Sequence, residues 1–342
     1  MRNAIKQAPA LKPARSVVES LADAMFLPMH GAQIASTNIT GITTGYPTII
    51  KFGATILPLT GQTMKIASCT PATYNGYHTV LWAAGGDVAI DLDSSALGAW
   101  TSGGAATFTH LRDLTGNNGP FDVSGTTTGI WAAPTAGLTP NAAGGNWVAP
   151  FTSSDLLELT GFSDKLLIAF DFTLGAATTG TELIFGINNN AQTGATSKHG
   201  TLNVGFSGAS QNPGLTFRPQ TAADGGGTNT SVQLGAMAAT TAHLAWIVDF
   251  SGAAPVIRGY KNGTAIASAT ATMANATGNP SLANLGAGIL CGVDSTGAAT
   301  GKLGSAGSGA VIQNLVFQKS DESIATLVNR IRNLSALKEY RA

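Results

Sequence analysis

Short runs of β-branched and aromatic residues, separated by Gly, Pro, Asn and Thr, recur along most of the chain. Strands of this length with turn residues at regular spacing are typical of sandwiches and jelly rolls. The pattern therefore predicts an all-β fold, with a jelly-roll sandwich over residues 155–342. Its predicted strands are KLLIAFDFTL, TELIFGINN, TLNVGFSG, GLTFRPQ, SVQLGAM, AHLAWIVDF, APVIRGYKNGTAIASATA and AVIQNLVFQ.

Two local signals sharpen the prediction for this sandwich. In VIRGYKNGTAIAS, the pair Asn262-Gly263 predicts a two-residue hairpin turn, because both residues tolerate positive φ. The segment SDESIATLVNRIRNLSAL has helical spacing, and Ser320 is placed to cap the helix. The predicted apolar face consists of Ile324, Leu327, Val328, Ile331 and Leu334.

Residues 30–117 show a second β pattern and predict a separate small β domain. TIIKFGATILPLTG and TMKIASCT are rich in β-branched residues, and HTVLWAAGGDVAIDLD indicates two strands joined by a Gly-Gly turn. Between them lies PATYNGYHTV, in which Asn75-Gly76 predicts a tight turn of a hairpin.

Two further segments complete the predicted organisation. Residues 1–29 form an N-terminal arm with a helix over 13–27, begun by Pro13 and ended by Pro28. The arm either docks on a neighbouring subunit or is a disordered tail. Residues 118–154, dense in Gly, Pro, Asn and Thr, are a linker or a long ordered loop. The residues predicted to form an assembly arm are Arg2, Lys6, Lys12, Arg15, Val17 and Leu21.

Charge is the unusual feature of the composition. Lys+Arg and Asp+Glu number 18 each, so no basic field favours nucleic acid, and only 11% of residues are charged. An ordinary soluble protein carries about 25%. We expect a homo-oligomer or larger assembly that covers part of the surface. The alternative is a secreted protein with a Thr/Asn/Ser surface. The chain has no run of 18 apolar residues, so no membrane span is predicted.

The candidate chemistry is sparse, and we predict no enzyme, no cofactor and no metal site. The histidines His30, His78, His110, His199 and His243 have no metal-ligand spacing. Cys69 and Cys291 are predicted to be buried and free, the alternative being a disulfide.

Carboxylates and amides leave two alternatives open. Sugar hydrolysis needs two carboxylates across the sugar, and the nearest pairs in this chain are Asp155 with Glu158 and Asp164 with Asp171. We expect these side chains to cap strand ends rather than to form such a pair. Asn188–Asn190 and Asp294 are either turn residues or calcium ligands. Among the tryptophans, Trp131 and Trp147 are the predicted sugar contacts, whereas Trp246 is predicted to be core.

Two resemblances add to this reading. MKIASCTPATYNGYHTV followed by GGDVAIDLD, residues 64–93, resembles a small β module repeated in virion proteins of tailed bacteriophages, where it is structural. The pieces HLAWIVDF, IRGYKNGTAIAS and VIQNLVFQ, with the helix begun by SDES, resemble the concanavalin A-like, laminin-G-like jelly roll. That fold hosts lectins, adhesion modules, glycanases and virion parts, so it does not choose a function.

Together these resemblances imply a structural component of a tailed-bacteriophage virion, assembled in the cytoplasm of the host bacterium. Its partners would be other capsid or tail subunits, in a capsid-decoration, head-associated, tail or baseplate role. The alternative is a glycan-binding module that recognises a host surface glycan. A third class, a polysaccharide-degrading enzyme, lacks an identified pair of catalytic carboxylates.

Overall fold

The computed structural model describes most of the chain, and strands are numbered here in chain order. The described residues are 24–27, 34–108, 110–111, 113, 120–124, 131–133, 137–138, 147–148, 165–175, 180–189, 201–207, 211–218, 229–237, 241–252, 254–271, 285–293, 298–305 and 309–336. They form a small closed barrel and a two-sheet sandwich with a C-terminal helix, which confirms the predicted fold class.

The sandwich consists of two antiparallel sheets. Sheet I has the order β10-β11-β24-β13-β18-β19-β20, with β1 also paired to β24, and sheet II has the order β17-β16-β15-β14-β21. The strands of sheet I are β1 (Ala24–Leu27), β10 (Trp131–Ala133), β11 (Gly137–Leu138), β13 (Lys165–Thr173), β18 (Thr241–Asp249), β19 (Val256–Lys261), β20 (Thr264–Thr270) and β24 (Val311–Ser320). The strands of sheet II are β14 (Thr181–Asn189), β15 (Thr201–Ser207), β16 (Asn212–Arg218), β17 (Thr230–Gln233) and β21 (Leu285–Ile289).

Sheet I is buried on both faces at its centre. One face packs on sheet II, and there the Trp246 indole N–H donates to the Val232 carbonyl at 3.0 Å. The other face, which we call the outer face, is covered by the helix α1 (Ile324–Ala336). Burial on both sides explains why β13 and β18 are almost uninterrupted apolar runs without polar alternation.

The predicted helix and its apolar face are confirmed. Leu327, Ile331 and Leu334 are buried against the outer face of sheet I, and Ile324 and Val328 pack at its margin. The capping residue is Ser323 rather than Ser320, because the Thr326 N–H donates to Ser323 Oγ at 3.2 Å.

The barrel closes through six antiparallel strands in the order β2-β3-β6-β5-β4-β7. Its hairpin β5–β6 turns at Gly85-Gly86, as predicted. Its core includes Ile50, Met64, Val80 and Phe108. The strands are β2 (Thr37–Thr43), β3 (Thr48–Phe52), β4 (Thr63–Thr70), β5 (Gly76–Ala84), β6 (Asp87–Ile90) and β7 (Ser102–Thr107).

The two predicted Asn-Gly turns differ in the structure. Asn262-Gly263 joins Lys261 to its register partner Thr264 with φ of 50° and 75°, which confirms the two-residue turn. Asn75-Gly76 does not form the tip of a tight hairpin: a single 3₁₀ turn, Ala72–Tyr74, precedes it and Asn75 is extended. The Asn75 side chain instead accepts from the Cys69 N–H at 2.9 Å, and this contact closes a longer β4–β5 connection.

The helix predicted over residues 13–27 is wrong at its C-terminal end. Ala24–Leu27 is the strand β1, fully buried and paired antiparallel with β24. Met25 and Leu27 enter the core between the sheets, whereas Ala24 and Phe26 face α1. Residues 13–23 lie outside the described residues, as do the predicted arm residues Arg2, Lys6, Lys12, Arg15, Val17 and Leu21.

A small three-stranded sheet, here called the connector, joins barrel and sandwich; two of its strands lie in the segment 118–154 predicted as linker or ordered loop, and the third lies at the end of the predicted small β domain. It has the order β12-β9-β8, and β10 and β11 of the same segment extend sheet I. Its residues Leu111, Phe121 and Val123 pack in the sandwich core, while Asp122 contacts Lys65 of the barrel. The connector strands are β8 (His110–Leu111), β9 (Phe121–Ser124) and β12 (Trp147–Val148), and a separate two-stranded pair is formed by β22 (Gly292–Val293) and β23 (Ala299–Thr300).

We expect Gly263→Val to lower the free energy of unfolding by about 1–3 kcal/mol, because a β-branched residue is strained at positive φ. A Cβ at this position would also lie 3.1 Å from Arg332 Cγ. Urea unfolding followed by circular dichroism measures the change. Gly252→Val, at a position with ordinary φ, is the control. Equal stability of both variants would show that the hairpin assignment is wrong.

Candidate functional site

Three polar side chains interrupt the apolar outer face of sheet I beside the end of α1. The Asp171 carboxylate accepts from His243 Nδ1 at 3.1 Å with one oxygen, and from the Asn314 amide at 3.2 Å with the other. Asp171 and His243 are only 2% and 4% exposed. We call this group the Asp–His–Asn trio.

Strand pairing and one backbone irregularity bring the trio together. Asp171 on β13 and His243 on β18 are direct register partners, although 72 positions separate them in the chain. On the other side of β13, the register with β24 shifts next to Asp171. At this bulge Asn314 has a φ of 48°, rare for a residue other than glycine, and its amide reaches the carboxylate.

The trio leaves one nitrogen without a partner. His243 Nε2 is buried and makes no hydrogen bond, while the trio lines a cavity of about 10 Å³ together with Phe26, Val316 and Leu334. That volume suits roughly one water molecule. With Nδ1 protonated toward Asp171, Nε2 is an acceptor held in one orientation. Because no hydroxyl or thiol among the described residues bonds to Nε2, these contacts provide no nucleophile.

A second polar cluster lies where the barrel meets the connector. Asp122 accepts from Lys65 Nζ at 2.8 Å and from the Tyr77 hydroxyl at 2.7 Å. His110 Nδ1 lies 2.8 Å from the same carboxylate without the direction of a hydrogen bond, and its Nε2 is 2.7 Å from Thr107 Oγ1. The cluster joins β4 and β5 of the barrel to β8 and β9.

Burial and charge shift the pKa values of this cluster. Burial lowers the pKa of His110, although the Asp122 charge opposes it. Desolvation raises the pKa of Asp122, but the hydrogen bonds from Lys65 and Tyr77 outweigh this and the pKa is lowered. The hydrogen bond to Asp122 raises the pKa of Lys65. The cluster therefore stabilises a charged Lys–Asp pair beside a neutral imidazole, an arrangement suited to holding two modules together.

The cysteines are buried and free, as predicted. Burial raises the pKa of Cys291 to about 12, so its thiol stays protonated and unreactive at neutral pH. In the part of the chain that the structure describes, no three His, Cys, Asp or Glu side chains group as a metal site. The same part holds no helix long and apolar enough to span a bilayer.

Most sequence-predicted site residues lie outside the described side chains. Trp131 and Trp147 belong to β10 and β12, but their side chains are not among those described. Of the calcium alternatives, Asn188 and Asn189 end β14 without described side chains. The residues outside the described part altogether are Asn190, Asp294, Asp155, Glu158 and Asp164. Of the four carboxylates, only Asp171 is described, and it is buried inside the sheet rather than at a strand end.

Sequence reasoning also missed an exposed tryptophan. Trp82 on β5 is 39% exposed, whereas Trp246 is fully buried as predicted. Strict alternation along HTVLWAAGG would place Trp82 on the same face as the buried Val80, so the pattern alone gives no signal for an exposed ring. A β-bulge between Val80 and Trp82 breaks this alternation. Val80 stays buried, and the Trp82 side chain turns outward.

No family model and no curated protein matches the chain. Among solved structures, the Ruminococcus gnavus IT-sialidase CBM40 bound to α2,3-sialyllactose is 9% identical, with a TM-score of 0.35, over 48% of this chain and 81% of that one. The binding domain of botulinum neurotoxin DC, in complex with rat synaptotagmin II, is 12% identical with a TM-score of 0.42.

That match covers 66% of this chain and 48% of the toxin chain, so it spans about half of the toxin domain's length. The NanB sialidase from Streptococcus pneumoniae is 14% identical with a TM-score of 0.32, over 48% of this chain and 23% of that one. At these identities and scores the similarities assign neither a family nor a function.

We expect Asp171→Asn to lower the free energy of unfolding by about 1–3 kcal/mol, because an amide N–H would face one of the two buried donors. Urea unfolding of the full chain measures it. Asp321→Asn, the same change at an exposed position, serves as the control and should alter little. If Asp171→Asn matches the wild type, the trio contributes nothing to the fold.

Acidification should destabilise the junction through His110. Its pKa is lower in the folded chain than in the unfolded one, so its contribution is complete above about pH 6.5 and is lost as the pH falls below that value. Denaturation midpoints at pH 7.5 and pH 5.5 test this. His110→Asn should reduce the difference between the two pH values, and an unchanged difference would exclude His110 as its source.

Proposed function

We propose that the protein is a structural component of a tailed-bacteriophage virion, which acts through protein–protein assembly. One observation carries the structural role: the residues of the phage-like module serve to close the barrel. Asn75 bonds to Cys69, Tyr74 is buried with its hydroxyl donating to the Gly98 carbonyl at 2.8 Å, and Gly76 has a φ of 143° that suits glycine. Those contacts lie within the barrel, as expected for a building block.

The surface supports assembly as well. The chain carries only 11% charged residues, and the described part exposes Tyr46, Leu57, Trp82 and Ile266. Charged side chains keep monomeric proteins apart in solution, and few are available here. A subunit of a large particle is surrounded by neighbours and needs less of this protection.

We expect removal of residues 1–20 to leave both β modules folded and to weaken incorporation into the particle, since this segment holds the bases Arg2, Lys6, Lys12 and Arg15. Circular dichroism and co-sedimentation with purified virions measure the two effects. Removal of residues 1–28 is a different experiment, because it deletes the buried strand β1 and should destabilise the sandwich. Incorporation of the shorter deletion at wild-type level would show that attachment lies elsewhere, and failure of the full chain to associate with virions would overturn the proposal.

A second candidate function, recognition of a host surface glycan, is favoured by exposed Trp82. An indole ring on a barrel surface can stack on the apolar face of a sugar. Saturable binding of a bacterial surface polysaccharide, abolished in Trp82→Ala and partly kept in Trp82→Phe, would support this function. Unchanged binding in Trp82→Ala would remove Trp82 from the contact and leave Trp131 and Trp147 to be tested in the same assay.

A further inference from the structure

Both sheets of the sandwich end on the same side. β20 is the last strand of sheet I, β17 is the last strand of sheet II, and the two strands lie against each other. Within the described residues, no strand pairs with the outer edge of either one. We call this side of the sandwich the β17–β20 edge.

The β17–β20 edge is open to solvent to an unusual degree. Six of the seven residues of β20 are exposed, whereas its neighbour β19 has no exposed residue and is buried at three of its six positions. Ile266 is 48% exposed at its centre, and Ala269 alone packs partly on the core. On β17, Ser231 and Gln233 are exposed on either side of the buried Val232.

The usual protections of a sheet edge are absent from these two strands. Sheet edges in monomeric proteins carry charges, proline or bulges, because their unpaired N–H and C=O groups otherwise pair with another chain. Residues 229–237 and 262–271 contain no charged residue and no proline. The bulge at Gly259–Tyr260 lies on the side where β20 already pairs with β19. An edge built in this way is suited to being covered.

We propose that the β17–β20 edge is a self-association surface, at which β20 pairs antiparallel with β20 of a second copy about a two-fold axis. Full overlap of the two strands places Ala267 opposite Ala267 and Thr264 opposite Thr270. This arrangement satisfies the free backbone groups of both edges and sets no like charges against each other, because the strand has none. An uncharged Thr-Ala-Ser strand is thus complementary to itself. The proposal names the surface for the assembly role argued above and rests on that role.

The size of the edge sets the strength of the contact. β20 offers seven residues and β17 four, fewer than the twenty to thirty per side of a standard interface. Ile266 is the one large apolar side chain placed to anchor it. We therefore expect a weak dimer in solution, which becomes stable where several contacts act together, as in a particle.

Sedimentation of the full chain over a wide concentration range tests the surface. The wild type should dimerise, and Ala267→Lys should weaken the dimer at least tenfold because two cations then face each other across the axis. Ala54→Lys, the same change at an exposed position on the barrel, is the matched control and should dimerise like the wild type. Circular dichroism confirms that each variant is folded.

A charge swap tests the register itself. A mixture of Ala267→Lys and Ala267→Glu should restore association, since opposite charges then meet at the axis, whereas neither variant associates alone. A wild type that stays monomeric at every concentration overturns this inference, as does loss of the dimer in Ala54→Lys but not in Ala267→Lys. A monomer that still co-sediments with virions would leave the proposed function standing, and a dimer that never binds virions would overturn the proposed function alone.

Discussion

The pairing of β24 with three separate parts of the chain is the interaction on which the rest of the sandwich depends. One edge of β24 pairs with β13 from Val311 to Ser320, and the other edge pairs with β1 and with β11. The strand before the barrel, the segment after it and the sandwich proper therefore meet on one C-terminal strand. Such distant contacts are slow to form because a long loop must close first. Among the described strands, β1 pairs with β24 alone, so its strand pairing must wait until β24 has been made.

Burial of sheet I on both faces explains the form of its polar trio. A carboxylate within this sheet cannot reach bulk water, so its oxygens must accept bonds from neighbouring strands. His243 supplies one donor through direct pairing, and a second donor comes from the β24 side, where the register shifts next to Asp171. The bulge places Asn314 in an unusual φ and supplies the second donor. The irregularity of β24 thus supplies a donor to a buried carboxylate, and within the described residues His243 Nε2 is a buried atom of the trio without a hydrogen-bond partner.

Much of this fold was predictable from sequence, and the exceptions have a common physical origin. β13, β18, the Asn262-Gly263 turn and α1 carry strong local signals, namely long apolar runs, a turn pair that tolerates positive φ and a helical stripe. β1 was missed because four buried residues show no alternation, and the helical spacing before them continued into AMFL. The trio was missed since only strand register brings Asp171 to His243. Ser320 and Ser323 are equally good caps in sequence, and only the hydrogen bond to Thr326 separates them.

Ion pairs within the chain limit the charge that this protein presents to a binding partner. Several charged side chains pair within the chain: Lys65 with Asp122, Arg258 with Asp249, and Arg330 with Glu322. Such pairs are locally neutral and leave little long-range field to steer a partner. Surfaces such as the β17–β20 edge then offer backbone hydrogen bonds, small apolar side chains and hydroxyl groups. Recognition through these groups depends on shape and strand register and responds weakly to salt, because counterion screening acts on charges. At the β17–β20 edge, the proposed contact therefore depends on geometry rather than on electrostatic guidance.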